Sequence, residues 1–130
     1  MDTTIRRIAN NTNTNMVFVR SDVPRAGNSD HRVVHAKGSQ TSDWNVPWST
    51  EEAARKLLQD PSGNGGNGIK IITGSHIWVI WQEKPVGGAD ALWIIEHGKT
   101  KAETSPRNAV GGDIAIEVEA SGSPCVKDHP

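Results

Sequence analysis

Ile69-Lys-Ile-Ile-Thr-Gly-Ser-His-Ile-Trp-Val-Ile-Trp-Gln-Glu83, followed by Ala91-Leu-Trp-Ile-Ile-Glu-His97, is the stretch whose reading decides the fold. It carries three of the five Trp residues and the densest run of β-branched side chains. Gly74-Ser75 separates two apolar runs. Glycine at the first centre of a two-residue loop supplies the positive φ of a type II′ turn, so residues 69–73 and 76–82 are expected to pair as a hairpin. Side chains alternate along a strand, which groups Ile77, Val79 and Trp81 on one face and His76, Trp78, Ile80 and Gln82 on the other. Both faces are largely apolar. This predicts a central strand covered on both sides, or on one side with a ligand surface opposite.

Outward from that hairpin, strand signals alternate with turns. Residues 4–9 and 16–20 read as an opening hairpin around the polar turn Asn10-Asn-Thr-Asn-Thr-Asn15, which could serve as a plain loop or a hydrogen-bonding rim. Ser21–Asp30, with Pro24 and Gly27, reads as a loop before a strand at 31–36. Gly38–Thr50 carries Trp44, Trp48 and Pro47 and is expected to be irregular or an edge strand. Ser49-Thr-Glu-Glu52 has the spacing of a capping box and opens a helix at 50–60, with Ala53, Ala54, Leu57 and Leu58 as its apolar stripe. Pro61 stops it. We expect this helix over an end or edge of the sheets. Leu92, Ile94 and Glu96 oppose Trp93, Ile95 and His97 in a further strand, and His97-Gly98 turns into 99–104. Ile114, Ile116 and Val118 point inward from a half-buried strand at 113–120, and the tail from about Ser121 is expected to fray. The whole predicts a single all-β domain over residues 1–130, an antiparallel β-sandwich of about eight short strands with one short helix; a closed β-barrel is the alternative.

Composition narrows the function classes. A hydrophobic fraction of 35% with 13 Gly and 7 Pro suits a turn-rich β chain. Lys+Arg 14 against Asp+Glu 15 leaves no broad basic field, so nucleic acid is not an expected partner. Cys125 stands alone, which precludes an internal disulfide or a thiolate metal cluster. The N-terminus has no apolar targeting region and no run approaches about 18 apolar residues, which predicts a cytoplasmic protein. His31 and His35 share a strand face but lack an identifiable third ligand and read as surface histidines. Asp60–Gly65 imitates the start of a calcium loop, but Ile71 occupies the position of the bidentate Glu, so no metal is expected. No nucleophile elbow occurs. Glu83, Asp90 and Glu96 leave open a carboxylate pair for glycoside hydrolysis, ranked third.

The tryptophans carry the functional signal. Tyr is absent and Phe occurs once, against five Trp. A core alone could use Phe, without an indole N–H that needs a partner. Trp78 and Trp93 are read as core, whereas Trp44, Trp48 and Trp81 stay open between core and ligand platform. An indole can pack on the apolar side of a sugar while Asp, Asn and His bind its hydroxyls. The chain resembles, over its whole length and in character, the small cytosolic Trp-rich lectins and the aegerolysin-type lipid binders of fungi and some bacteria. The resemblance implies binding without catalysis and assigns no particular residue. The expected function is therefore a non-catalytic, lectin-like protein without cofactor, whose partner is a glycan or glycoconjugate. Its site would gather Asp43, Trp44, Asn45, Trp48, His76, Trp81 and Asp90 at one end of the sandwich. A homo-oligomer would add avidity. The alternative partner is a membrane surface, since clustered Trp also suits the water–lipid boundary; Asp43 and Asn45 beside Trp44 favour sugar.

Overall fold

The computed structural model describes residues 3–22, 29–59, 66–83, 90–104 and 111–129. Among them, ten strands and one helix follow the order β1 (Thr3–Asn10), β2 (Met16–Asp22), β3 (Ser29–Val34), β4 (Ser39–Asn45), α1 (Glu51–Gln59), β5 (Asn67–Thr73), β6 (His76–Glu83), β7 (Ala91–Glu96), β8 (Glu103–Thr104), β9 (Gly112–Val118) and β10 (Pro124–Asp128). They form a four-stranded sheet, β10-β9-β1-β4, facing a six-stranded sheet, β3-β2-β5-β6-β7-β8. Among the described residues the architecture is the expected β-sandwich, with no closed barrel.

The β5–β6 hairpin forms as its sequence dictates. Thr73 and His76 are cross-strand partners and Gly74 has φ 50°, while Ser75 keeps a negative φ, the type II′ pattern. The expected opening hairpin does not form: β1 lies between β4 and β9 in the small sheet, whereas β2 pairs with β3 and β5 in the large one. The polar 11–15 segment is therefore a crossing between sheets. The β1–β9 pairing is parallel, set within otherwise antiparallel ladders. A bulge between Ile5 and Arg7 breaks the alternation of β1. Three positions apart, Ile5 and Ile8 would face opposite ways in a regular strand, yet the extra residue turns both into the core, where both are fully buried.

The core has two layers. Between the sheets lie Ile5, Ile8, Phe18, Ile69, Ile71, Ile80, Leu92, Ile114 and Ile116, with Trp78 packed partly against them. On the outer face of the large sheet, Ala54, Leu57 and Leu58 of α1 cover Val79, Trp81 and Ile95. The helix thus lies across the middle of a sheet face, against β5 and β6, and not over an end or edge as expected. The reason is the outer row of β6: Ile77, Val79 and Trp81 form an apolar stripe that water would otherwise meet. Gly66 and Gly68 let the helix approach, since a Cβ at Gly66 would stand 2.1 Å from the Ala53 carbonyl oxygen. Thr50, not Ser49, caps the helix, accepting the Ala53 N–H at 3.2 Å. The proline stop, the calcium-like stretch at 60–65, and most of the loops 21–30, 83–90 and 105–112 lie outside the described residues. The segment after Ser121 does not fray: β10 pairs antiparallel with β9 and buries Val126.

Candidate functional site

The seven residues anticipated as a sugar site are distributed over the molecule. Asp43 and Asn45 are exposed on β4, an edge strand as expected, and Trp44 between them is buried in the core with the Arg32 guanidinium 4.8 Å from its ring centroid. This side of the sandwich is laced shut. Arg32 Nη1 donates to the Thr41 carbonyl, Gln40 Nε2 to the Val33 carbonyl and Arg20 Nε to the Asn45 carbonyl. Trp81 is fully buried beneath α1, its Nε1–H donating to Glu83 Oε1 at 2.9 Å. Trp48 is half-buried and bridges Gln82 at the far end of β6. That end is closed by polar bonds: Thr3 Oγ1 donates to Gln82 Oε1, Gln82 Nε2 to the Val46 carbonyl, and the Gly111 N–H to Thr3 Oγ1. Asp90 precedes β7, half-buried, with its Oδ1 buried and unpartnered. His76 opens β6 at the opposite end. Six steps along a strand is about 20 Å, so Trp48 and His76 cannot touch one ligand ring.

A different group of side chains does converge. Four strands face six, and the position of the small sheet follows from its contacts. Its β4 edge lies over β2 and β3, and its β9–β10 turn reaches β6, where Gly122 O accepts the Trp78 Nε1–H at 3.0 Å. The inner face of β7 and β8 extends beyond that turn. A cleft of about 330 Å³ opens there. The strand registers explain its lining. Trp78 is paired with Glu96, and Ile94 with Glu103, in neighbouring rows of one face. The turn from β7 to β8 adds Lys99, Thr100 and Lys101 along the rim.

Each element positions its side chain for a local reason. The Trp78 indole is fixed by its bond to Gly122 O and by packing against the inter-sheet core. Glu96, with a side chain 17% exposed, accepts a 2.6 Å hydrogen bond from His76 Nδ1. An ionised carboxylate only accepts, so this bond places the imidazole hydrogen on Nδ1 and leaves Nε2 as the acceptor in the neutral ring. Gly122, at φ 93°, allows the ring to sit there: a Cβ would stand 2.9 Å from His76 Cδ2. The arrangement combines an immobilised indole, a recessed carboxylate, a second carboxylate and a hydroxyl around a small open volume. It can hold a polar, ring-shaped molecule with one apolar face. Among the described residues no group of three or more His, Cys, Asp or Glu is placed to hold a metal, and His31 and His35 are exposed.

Sequence reasoning placed His76 in a site, assigned Trp78 to the core against which it packs, weighed Glu96 only as one of a possible carboxylate pair with Glu83 and Asp90, and did not single out Glu103 or the rim residues that line the cleft. The available signal was the face that ends Leu92-x-Ile94-x-Glu96, where an acidic group terminates an inward apolar row. Linking it to Trp78 required the β6–β7 register. Compared with family models, curated proteins and solved structures, the chain matches none of them. No helix among the described residues is long and apolar enough to cross a membrane.

Proposed function

We propose that the protein is a non-catalytic carbohydrate-binding protein of lectin-like character, and that its site is the cleft on the inner face of β6–β8. The observation that carries this reading is the immobilised Trp78 indole sharing a cleft of about 330 Å³ with Glu96, Glu103 and Thr100. Such a volume suits one or two sugar rings. An indole offers an apolar surface to the C–H side of a sugar, and carboxylates accept hydrogen bonds from its hydroxyls, the stronger charge-assisted kind. The lipid-surface alternative calls for clustered exposed Trp. The five Trp are buried or half-buried, and the exposed large apolar side chain among the described residues is Val33, at 48%. That favours glycan over membrane as partner. A single shallow site implies weak affinity, which a homo-oligomer would raise by avidity.

A glycan-array screen followed by calorimetry tests the site. Glu96→Gln should weaken binding about 10-fold or more, the worth of a lost charge-assisted hydrogen bond. Trp78→Phe should reduce binding while preserving the fold, and Asp43→Asn, on the laced side, should leave affinity unchanged. Binding lost in Asp43→Asn and retained in Glu96→Gln would return the site to β4. Reducing-sugar release abolished by Glu96→Gln would make the protein a glycoside hydrolase, and pelleting with liposomes without glycan binding would make it a lipid binder.

A further inference from the structure

The charges around the cleft narrow the class of sugar, an inference that rests on the reading just given. Lys99 and Lys101 both line the cleft, and neither enters an ion pair among the described residues. Glu103 is likewise without an ion-pair partner, whereas Glu96 is engaged by His76 at 2.6 Å. At the exposed rim two cations, Lys99 and Lys101, stand against one carboxylate, Glu103, while the recessed Glu96, whose charge a neutral imidazole does not cancel, brings the formal charge of the lining to zero. The lysines do not ride on a free loop. Arg55 Nη2 donates to the carbonyl of Thr100, between them, at 2.7 Å, and Arg55 Nε is held by Glu51 at 3.0 Å. On the other side the Lys99 N–H donates to the Glu96 carbonyl at 3.1 Å, a turn that Gly98 permits at φ 91°. The rim backbone is thus fastened to α1 on one side and to β7 on the other, before any ligand arrives.

We propose that the ligand is a sugar bearing a carboxylate, of the hexuronic acid class, with its ring against Trp78 and its carboxylate between Lys99 and Lys101. Its hydroxyls face Glu96 and Thr100. A neutral sugar leaves both ammonium groups without a counter-charge, and a sugar amine would meet two like charges at the rim. Each lysine presents three donors and a compact charge, suited to a carboxylate approached from solvent.

The test compares oligogalacturonate with its methyl-esterified form, by calorimetry on the intact chain at low salt. Esterification removes the charge and keeps the ring and its hydroxyls. The acid form should bind about 3- to 10-fold tighter, as expected for exposed ion pairs. That preference should shrink toward unity at high salt, where such pairs are screened. It should also vanish in the Lys99→Gln/Lys101→Gln double variant, read as the ratio of acid to ester affinity within that variant. Equal affinity for the two forms, or a preference that survives the double variant, overturns the acidic-sugar inference and leaves the sugar cleft standing. Binding of a neutral glycan with neither galacturonate form bound does the same. Failure of every glycan to bind removes both.

Discussion

Asn10 has a buried side chain with every polar group engaged, and it anchors the crossing from one sheet to the other. Its Nδ2 donates to the carbonyls of Thr14 and Val34, at 2.7 and 3.0 Å, and its Oδ1 accepts from the N–H and hydroxyl of Thr12. Asn10 and Thr12 are thus the buried struts of the Asn-rich turn, while Asn11, Asn13 and Asn15 stay exposed. Asn and Asp are close in shape but opposite in what they offer two carbonyls. Asn10→Asp should lower unfolding stability by about 2–3 kcal/mol, because two donated bonds become a carboxylate facing two acceptors in a buried place. Urea denaturation measures this, and a midpoint equal to the wild type would show that the turn is held by something else. Gly122 acts at the same scale on the cleft, since the missing Cβ is what lets His76 lie against the β9–β10 turn and reach Glu96.

The β5–β6 hairpin owes its register to two residues. Gly74 at φ 50° begins the turn, and Thr73 opposite His76 sets every later pair, down to Ile69 opposite Ile80. A one-residue slip would carry Trp78 out from between the sheets and turn Trp81 inward from beneath the helix. Gly74→Val forces a β-branched side chain into positive φ and should cost more than about 1 kcal/mol. A thermal midpoint unchanged from wild type would refute the turn and the register built on it. The helix depends on a different balance. Nine residues are too few to persist alone, so α1 relies on the burial of Leu57 and Leu58, each worth about 1.5–3 kcal/mol, against Val79, Trp81 and Ile95. Arg55, on its solvent side, ties the same helix to the cleft rim.

For the whole molecule, the inequality of the two sheets matters most. Four strands cannot cover six. The lacing by Arg20, Arg32 and Gln40 holds the small sheet to the β2–β3 side, so the less covered face falls at β8 and the Glu96 end of β7, and there the cleft opens. The C-terminal strand completes this arrangement: β10 flanks β9, buries Val126 and carries the turn whose Gly122 carbonyl fixes Trp78. A chain ended after Ala120 should lose its cooperative unfolding transition, because Ile114 and Ile116 would lie along an open edge and Trp78 would lose its partner. Circular dichroism on heating reads this directly. A sharp melt within a few degrees of the full chain would show that β10 is dispensable to the core.

The sequence by itself determined the elements that local chemistry dictates: the II′ hairpin from Gly74, the apolar stripe of α1, the alternation that sends Ile114, Ile116 and Val118 inward, and the sandwich class from strand and turn spacing. Each depends on residues close together in the chain. Only the tertiary structure decided which strands are neighbours. Nothing local in Thr3–Asn10 tells it to leave Met16–Asp22 for β4 and a parallel β9, because that choice is made by the burial of Ile5 and Ile8 between two sheets. The same holds for the tryptophans. Trp78 and Trp81 are three residues apart with similar surroundings in sequence, yet one borders a cleft and the other is sealed beneath a helix. Burial is a property of what the rest of the chain places above a side chain, and α1 covers one face of β6 while the small sheet stops short of β8 on the other.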